Sequence, residues 1–195
     1  MIKICIFGSG GHAASCIDLI ESTNKYKIVG IISKNTKDVG KKFLDKYKIL
    51  GTDKDLKKIV KTCKNITIGV SFYRELTLRN RIFRNLKNLG FNLPVICSPK
   101  SYISNGSIIG EGSQIFHGVT INKNVTIEKN CIINSHSLIE HDVIIKENSQ
   151  ISTGVILNGG CKIGENTFIG SGSVLRENII LKRKTFIKIG SIIKE

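Results

Sequence analysis

A period of six residues in the second half of the chain constrains the fold more than any other feature. Every sixth residue from Ile103 to Ile193 is Ile or Leu, without interruption. The residue four positions later is small or β-branched from Ser107 to Ser173, and turn formers such as Gly110 and Asn166 lie in between. Neither a helix nor a strand with two-residue alternation produces this period.

A unit of six residues is long enough for one short strand and one turn. Three units close a triangular coil of about 18 residues, in which the Ile/Leu column points inward and stacks on the column of the next coil. Such a solenoid is stabilised by contacts between neighbouring repeats. The period therefore predicts a parallel β-helix of about five coils over residues 99–195.

The first half of the chain is typical of a small, Rossmann-like α/β domain, predicted over residues 1–98. Ile2–Phe7 is an apolar run of strand length, and apolar residues at helical spacing begin at Ala13. Further strands are predicted at residues 27–33, 66–70 and 93–97, and a basic helix at residues 74–89.

A glycine turn at residues 8–12 joins the first strand to the first helix. Gly10 and Gly11 let backbone amides approach a phosphate at the helix N-terminus, where the helix dipole favours an anion. The turn lacks the third glycine of the dinucleotide fingerprint. From the turn alone, phosphate binding and a ligand-free strand–helix connection are equally supported.

The charge of the chain lies mainly in its first half. Residues 1–98 hold 19 Lys and Arg against 7 Asp and Glu, whereas residues 99–195 hold 11 against 8. No nucleic-acid-binding motif accompanies the lysines, so we expect an anionic small molecule rather than a nucleic acid as partner.

Membrane and secretory features are not evident in the sequence. No apolar run reaches the roughly 18 residues of a membrane helix, and the first apolar run is too short for a signal peptide. The six cysteines are scattered, which favours reduced thiols. We therefore expect a cytoplasmic protein that does not bind membranes.

The combination of a glycine-turn α/β domain and an uninterrupted hexapeptide β-helix resembles the bacterial sugar acyltransferases. That family includes sialic acid O-acetyltransferases and N-acetyltransferases of nucleotide-linked 4-amino sugars. The most specific stretches are residues 134–142 and 151–159. The resemblance implies a left-handed β-helix, acetyl-CoA as co-substrate, no metal, and a homotrimer with acetyl-CoA between neighbouring β-helices.

The resemblance places the catalytic base at His141, with Asp142 raising its basicity and Asn134 near the substrate amine. A base is needed because the acceptor loses a proton as it attacks the thioester, and a neutral histidine can take that proton. The period adds a separate argument. Gly159 lies three units after His141, hence one coil further on, where its amide can donate to the developing oxyanion.

Further contacts to the two substrates are predicted on the same basis. Those to acetyl-CoA involve Gln150, Gly159, Ser171, Gly172 and Gly190. Those to the nucleotide sugar involve Gly10, Gly11, His12, Ser33, Gly69 and Arg79. Ser33 and Lys34 stand where several relatives carry paired acids.

The predicted function is acetyl transfer to the amino group of a UDP-linked amino sugar, in bacterial surface glycan biosynthesis. An O-acetyltransferase of sialic acid or a related nonulosonic acid, using the same base and donor, is the alternative. A third possibility is a scaffold or a zinc protein, since zinc can be held by three converging histidines. The spacings of His117, His136 and His141 do not form such a set within one chain. We interpret His117 as a surface residue and His136 as a turn or trimer-interface residue.

Overall fold

The structure, a computed structural model, describes residues 1–71 and 77–195. These form two compact units, one of residues 1–71 and 81–94, the other of residues 77–80 and 95–195. The predicted start of the basic helix at Arg74 lies outside the described residues.

The first unit is built on a five-stranded sheet in the order β3-β4-β2-β1-β5, parallel except for the β3–β4 pair. Its elements are β1 (Ile2–Phe7), α1 (Gly11–Ser22), β2 (Tyr26–Ile32), β3 (Lys42–Phe43), β4 (Tyr47–Gly51), α2 (Leu56–Thr62) and β5 (Ile66–Ile68); α3 (Leu78–Asn88) begins in the second unit and ends in the first. The predicted first helix is confirmed. Sequence analysis missed β3, β4 and α2, because lysines interrupt their short apolar runs.

Strand β1 lies between β2 and β5, so the order of strands reverses there. In open parallel sheets, the carboxyl ends of the strands at such a reversal form a crevice that binds ligands. The glycine turn follows β1, Ser33 follows β2 and Gly69 follows β5, so these residues lie at one edge of the sheet.

The second unit is a parallel β-helix of two-residue strands. The strands are β6 (Ile96–Cys97), β7 (Tyr102–Ile103), β8 (Ile108–Ile109), β9 (Gln114–Ile115), β10 (Thr120–Ile121), β11 (Thr126–Ile127), β12 (Ile132–Ile133), β13 (Leu138–Ile139), β14 (Ile144–Ile145), β15 (Gln150–Ile151), β16 (Ile156–Leu157), β17 (Lys162–Ile163), β18 (Phe168–Ile169), β19 (Val174–Leu175), β20 (Ile180–Leu181), β21 (Phe186–Ile187) and β22 (Ile192–Ile193). Every third strand pairs in parallel, which gives three faces. Face 1 runs from β6 to β21, face 2 from β7 to β22, and face 3 from β8 to β20.

The inner column of Ile and Leu fills the β-helix as the period predicts. From Ile115 to Leu175 these side chains are fully buried and form one continuous core. Because the inner side chains stack closely, shortening one of them is destabilising. Ile→Ala in such a core lowers the free energy of unfolding by about 2–5 kcal/mol.

The β-helix begins earlier than the sequence analysis expected. Residues 93–97 were predicted as the last strand of the α/β domain, but β6 pairs with β9 of face 1. The physical reason is that Cys97 lies one period before Ile103 and packs against the same inner column. A cysteine in place of Ile or Leu hid this first unit of the repeat.

Turns at the three corners carry the polar side chains of the β-helix. Corner 1–2 follows the strands of face 1, and corner 2–3 follows those of face 2. Several corner residues have a left-handed backbone, among them Asn124 and Asp142, each with φ 60°. Asn and Asp tolerate this conformation better than most residues with a side chain.

Candidate active site

His141 and Asp142 lie side by side at corner 2–3, between β13 and β14. The His141 Nδ1–H donates to Asp142 Oδ2 at 2.8 Å, because a carboxylate can only accept. This bond fixes the neutral imidazole with its proton on Nδ1 and its lone pair on Nε2. The His141 side chain is 65% exposed, so Nε2 is accessible to a reactant.

Asp142 raises the pKa of His141. The hydrogen bond between the two side chains holds this pKa above the usual value, and the charge of Glu140 acts in the same direction. The pKa of Asp142 is lowered in turn by its hydrogen bond to His141 and by a second one from Asn124. The pair can therefore accept a proton on Nε2 and stabilise the imidazolium that forms.

Gly159 lies one coil above His141, as the period predicts. A Cβ on Gly159 would lie 2.8 Å from His141 Nε2 and 2.7 Å from Cε1. The missing side chain therefore leaves the space that the ring occupies. Within the described residues, the Gly159 amide makes no hydrogen bond. Gly159 is buried beside the His141 ring, and its role as the oxyanion donor stays a prediction.

The glycine turn of the first unit is open at its tip. A Cβ at Gly10 or Gly11 would meet no atom within 4 Å, and α1 begins at Gly11 without a side-chain cap. His12 is the second residue of α1 and is half-buried. Space and backbone amides therefore coincide here, as an anion site requires.

Ser33 and Gly69 have packing roles at the same edge of the sheet. The Ser33 hydroxyl lies 3.1 Å from that of Ser9 and accepts from the Asn35 amide. A Cβ at Gly69 would lie 2.7 Å from that of Ala13, so this glycine permits close contact between the end of β5 and α1. Their predicted contacts to substrate remain predictions.

Family comparisons cover both units. Residues 3–86 match the model of the PglD N-terminal domain, and residues 97–195 match the GMPPB C-terminal domain. The second match spans slightly more than half of the chain. The chain belongs to the hexapeptide-repeat sugar acyltransferases.

Several solved structures resemble this chain along nearly its whole length. The acetyltransferase domain of PglB from Neisseria gonorrhoeae FA1090 is 25% identical, with a TM-score of 0.88, covering 100% of this chain and 92% of that one. It has also been solved with acetyl coenzyme A. A variant of perosamine N-acetyltransferase from Caulobacter crescentus, in complex with CoA and GDP-perosamine, is 22% identical, with a TM-score of 0.92 and coverage of 99% and 89%. No curated protein matches significantly.

Family membership confirms the predicted acyltransferase class and the α/β domain followed by a left-handed β-helix. The roles of individual residues stay predictions.

Two further findings concern the described residues only. No group of three His, Cys, Asp or Glu there is arranged to hold a metal ion. No helix in those ranges is long and apolar enough to cross a membrane.

The remaining predicted residues of the acyltransferase lie away from His141 within one chain. Asn134, Ser171, Gly172 and Gly190 all lie at corner 1–2. Gln150 is buried in face 1, where its Nε2 donates to the Ser152 hydroxyl. One chain thus brings together His141, Asp142 and Gly159, but neither Asn134 nor the other predicted acetyl-CoA residues.

Arg79 is fully buried in the second unit, and its Nη2 donates to the Gly112 carbonyl at 3.3 Å. This placement favours a structural role over the predicted contact with the nucleotide sugar. The helical position of Arg79 in the sequence gave no indication of its burial.

Sequence analysis missed two asparagines of corner 2–3. Asn124 Nδ2 donates to Asp142 Oδ1 at 3.1 Å, and Asn122 Nδ2 donates to Glu140 Oε2 at 2.8 Å. Both asparagines lie one coil below the residue that they contact. Counting 18 residues forward from His141 gives Gly159, and counting 18 residues back from Glu140 and Asp142 gives these two asparagines.

Proposed function

We propose that this acyltransferase transfers the acetyl group of acetyl-CoA to the amino group of a nucleotide-linked amino sugar. The observation that carries the proposal is the arrangement at corner 2–3. His141 is bonded to Asp142 through Nδ1 and directs Nε2 to the space under Gly159. The reaction takes place in the cytoplasm, where acetyl-CoA is made.

The chemistry requires one proton acceptor and one oxyanion donor. The neutral amine attacks the thioester carbonyl and forms the new C–N bond, while His141 Nε2 takes the proton that the nitrogen loses. The Gly159 amide donates to the oxyanion of the tetrahedral intermediate. The C–S bond then breaks, and the CoA thiolate leaves and takes up the proton held by the His141 imidazolium, which returns to its neutral form. Asp142 stabilises the imidazolium in between.

Relatives support the choice of substrates. One was solved with acetyl coenzyme A, and another with CoA and GDP-perosamine. In this chain, the open tip of the glycine turn provides amides for the phosphates of the nucleotide sugar. The identity of the nucleobase, uracil or guanine, is decided by experiment.

A homotrimer completes the site in this proposal. Face 2 carries an outward column that is apolar except for Thr120, with Tyr102 and Ile192 exposed at its ends. This face is bounded by corner 2–3, which holds His141, and by corner 1–2, which holds Asn134. When three copies turn face 2 toward a common axis, corner 2–3 of one copy adjoins corner 1–2 of the next. Acetyl-CoA then lies between two β-helices and reaches both sets of predicted residues.

The function is tested by thiol release from acetyl-CoA. The acceptors are UDP-, GDP- and dTDP-linked 4-amino sugars, together with free and CMP-linked sialic acids, and His141→Ala is assayed beside the wild type. We expect turnover with an amino sugar that the substitution abolishes. Turnover with sialic acids alone would establish the O-acetyltransferase instead. Equal rates in both proteins would remove His141 from the mechanism.

The assembly is tested at the middle of face 2. Leu138→Glu places a charge in the apolar column without touching the buried core, since Leu138 points outward. We expect light scattering to show trimers for the wild type and monomers for the variant, with activity lost and circular dichroism unchanged. An active monomer would contradict the shared site.

A further inference from the structure

Three polar side chains at corner 2–3 form a continuous chain of hydrogen bonds. Asn124 Nδ2 donates to one oxygen of Asp142 at 3.1 Å, and the other oxygen accepts from His141 Nδ1 at 2.8 Å. Both carboxylate oxygens are therefore engaged. Asp142 is held between a residue of its own coil and one of the coil below.

The backbone explains why these side chains meet. Asn124 and Asp142 occupy the same corner position in successive coils, and both have a left-handed backbone with φ 60°. The Asp142 amide also donates to the Lys123 carbonyl at 3.0 Å, which fixes the vertical spacing of the two coils. The side chain of Asn124 therefore projects to the level of the Asp142 carboxylate.

We propose that Asn124 is a positioning residue for acetyl transfer, which holds the Asp142 carboxylate in the orientation that orients His141. This inference rests on the proposed function of His141 as the base. Asn124 acts through Asp142 and makes no contact with the reacting atoms.

Exposure makes such an anchor necessary. The side chains of His141 and Asp142 are 65% and 57% exposed. A carboxylate in contact with water and bonded on one side only is free to rotate, and each rotation away from Nδ1 releases the imidazole. A second bond from a fixed corner restricts that rotation.

The other charged groups near the ring do not replace this anchor. Glu140 raises the pKa of His141 by its charge, but its Oε2 accepts from Asn122 instead of from the ring. Lys123 contacts Asp142 through its backbone carbonyl. Orientation of the imidazole thus depends on Asp142, and orientation of Asp142 depends on Asn124.

The test uses Asn124→Gly, because glycine adopts the left-handed backbone without strain, so that the loss of the side chain with its amide is the main change. The matched control is Asn166→Gly. Asn166 also has a left-handed backbone, with φ 56°, but lies at the corner between faces 3 and 1. Its side-chain oxygen is buried and finds no hydrogen-bond partner among the described residues.

Two readouts separate the positioning role from the proposed function. NMR titration of the His141 ring, assigned with His141→Gln, reports its pKa and tautomer without any substrate. We expect Asn124→Gly to lower the pKa toward the ordinary value and to reduce the share of the Nδ1–H tautomer. We expect kcat to fall roughly tenfold, with KM within twofold, while the control resembles the wild type in both readouts.

An unchanged or raised pKa of His141 in Asn124→Gly would overturn the inference, whatever the activity. If His141→Gln keeps full activity, the proposed function fails, but the titration still decides whether Asn124 orients the ring.

A double-mutant cycle gives a second test. In an Asp142→Gly background, Asn124→Gly should change kcat by less than twofold, because the group through which it acts is absent. A further tenfold loss there would show that Asn124 acts by another route.

Discussion

Corners 1–2 and 2–3 of the β-helix both contain residues with a left-handed backbone and both carry histidines, yet they differ in what the imidazoles contact. At corner 2–3, His141 Nδ1 donates to a carboxylate, and its ring lies under Gly159. At corner 1–2, His117 Nδ1 lies 2.6 Å from the hydroxyl of Ser98, a neutral partner. A repeated backbone thus offers several equivalent positions for a histidine. In the proposed function, the carboxylate at Nδ1 suits His141 to act as the base.

Substitution of the two histidines should give the largest difference between the corners. We expect His141→Gln to reduce kcat/KM by about 10²–10⁴-fold, the usual contribution of a general base. His117→Gln should leave kcat/KM within about twofold, because the Nδ1 of His117 lies beside the neutral hydroxyl of Ser98, whereas proton transfer is supported by a carboxylate at that nitrogen. Steady-state kinetics on the same acceptor compares them. Similar losses in both variants would place the base elsewhere.

Each corner also has a glycine beside a histidine ring, and alanine at these two positions should have different effects on activity and stability. Gly159→Ala places a Cβ 2.7 Å from His141 Cε1, so the ring must move. Because Gly159 is not in the left-handed region, we expect little loss of stability but a fall in kcat/KM of about 10-fold or more, as for other losses of alignment.

Gly118→Ala is the matched change at corner 1–2. The new Cβ would meet the His136 ring at 2.5 Å, but Gly118 has φ +68°, so alanine also strains the backbone. We expect a loss of about 1–2 kcal/mol in the free energy of unfolding and nearly unchanged kcat/KM. Urea denaturation and kinetics of both variants test the contrast. Loss of activity in Gly118→Ala with full stability would contradict it.

The carboxylate at corner 2–3 should appear in the pH dependence. A raised pKa of His141 means that the ring loses its proton at a higher pH than an isolated histidine, and in the proposed function only the neutral ring acts as the base. Asp142→Asn removes the charge that stabilises the imidazolium. The midpoint of the rise in kcat/KM with pH should therefore shift downward, and its plateau should fall by about tenfold. An unchanged midpoint would mean that another group controls the rise.

The two units also differ in how far their structures follow from the sequence. In the β-helix, a fixed period makes residues of successive coils neighbours, so the stacking of Gly159 on His141 was predictable by counting. Asn124 was predictable in the same way and was missed because only the following coil was considered. Cys97 shows the limit of the pattern, since the first unit of the repeat lacks Ile or Leu.

In the α/β unit no such period exists. The ends of β1, β2 and β5 lie side by side because of the strand order, which local patterns do not determine. In the second unit the period has a limit too, since it does not reach Arg79, which is buried and donates to the carbonyl of Gly112, far away in the chain. Contacts between residues far apart in the chain determine such roles. Neither the helix and strand propensities nor the spacing of residues predicts these contacts.

The smallest effect is expected at the hydroxyl of corner 1–2. Ser98→Ala removes the partner of His117 Nδ1 and the acceptor of the Lys100 amide. Each lost hydrogen bond contributes about 1 kcal/mol to the free energy of unfolding, so the urea midpoint should fall slightly. Activity should not change, because neither His141 nor Asn134 is a partner in these hydrogen bonds. A fall in kcat without a fall in stability would show that corner 1–2 supports the reaction through His117, and the distinction between the two corners would then be wrong.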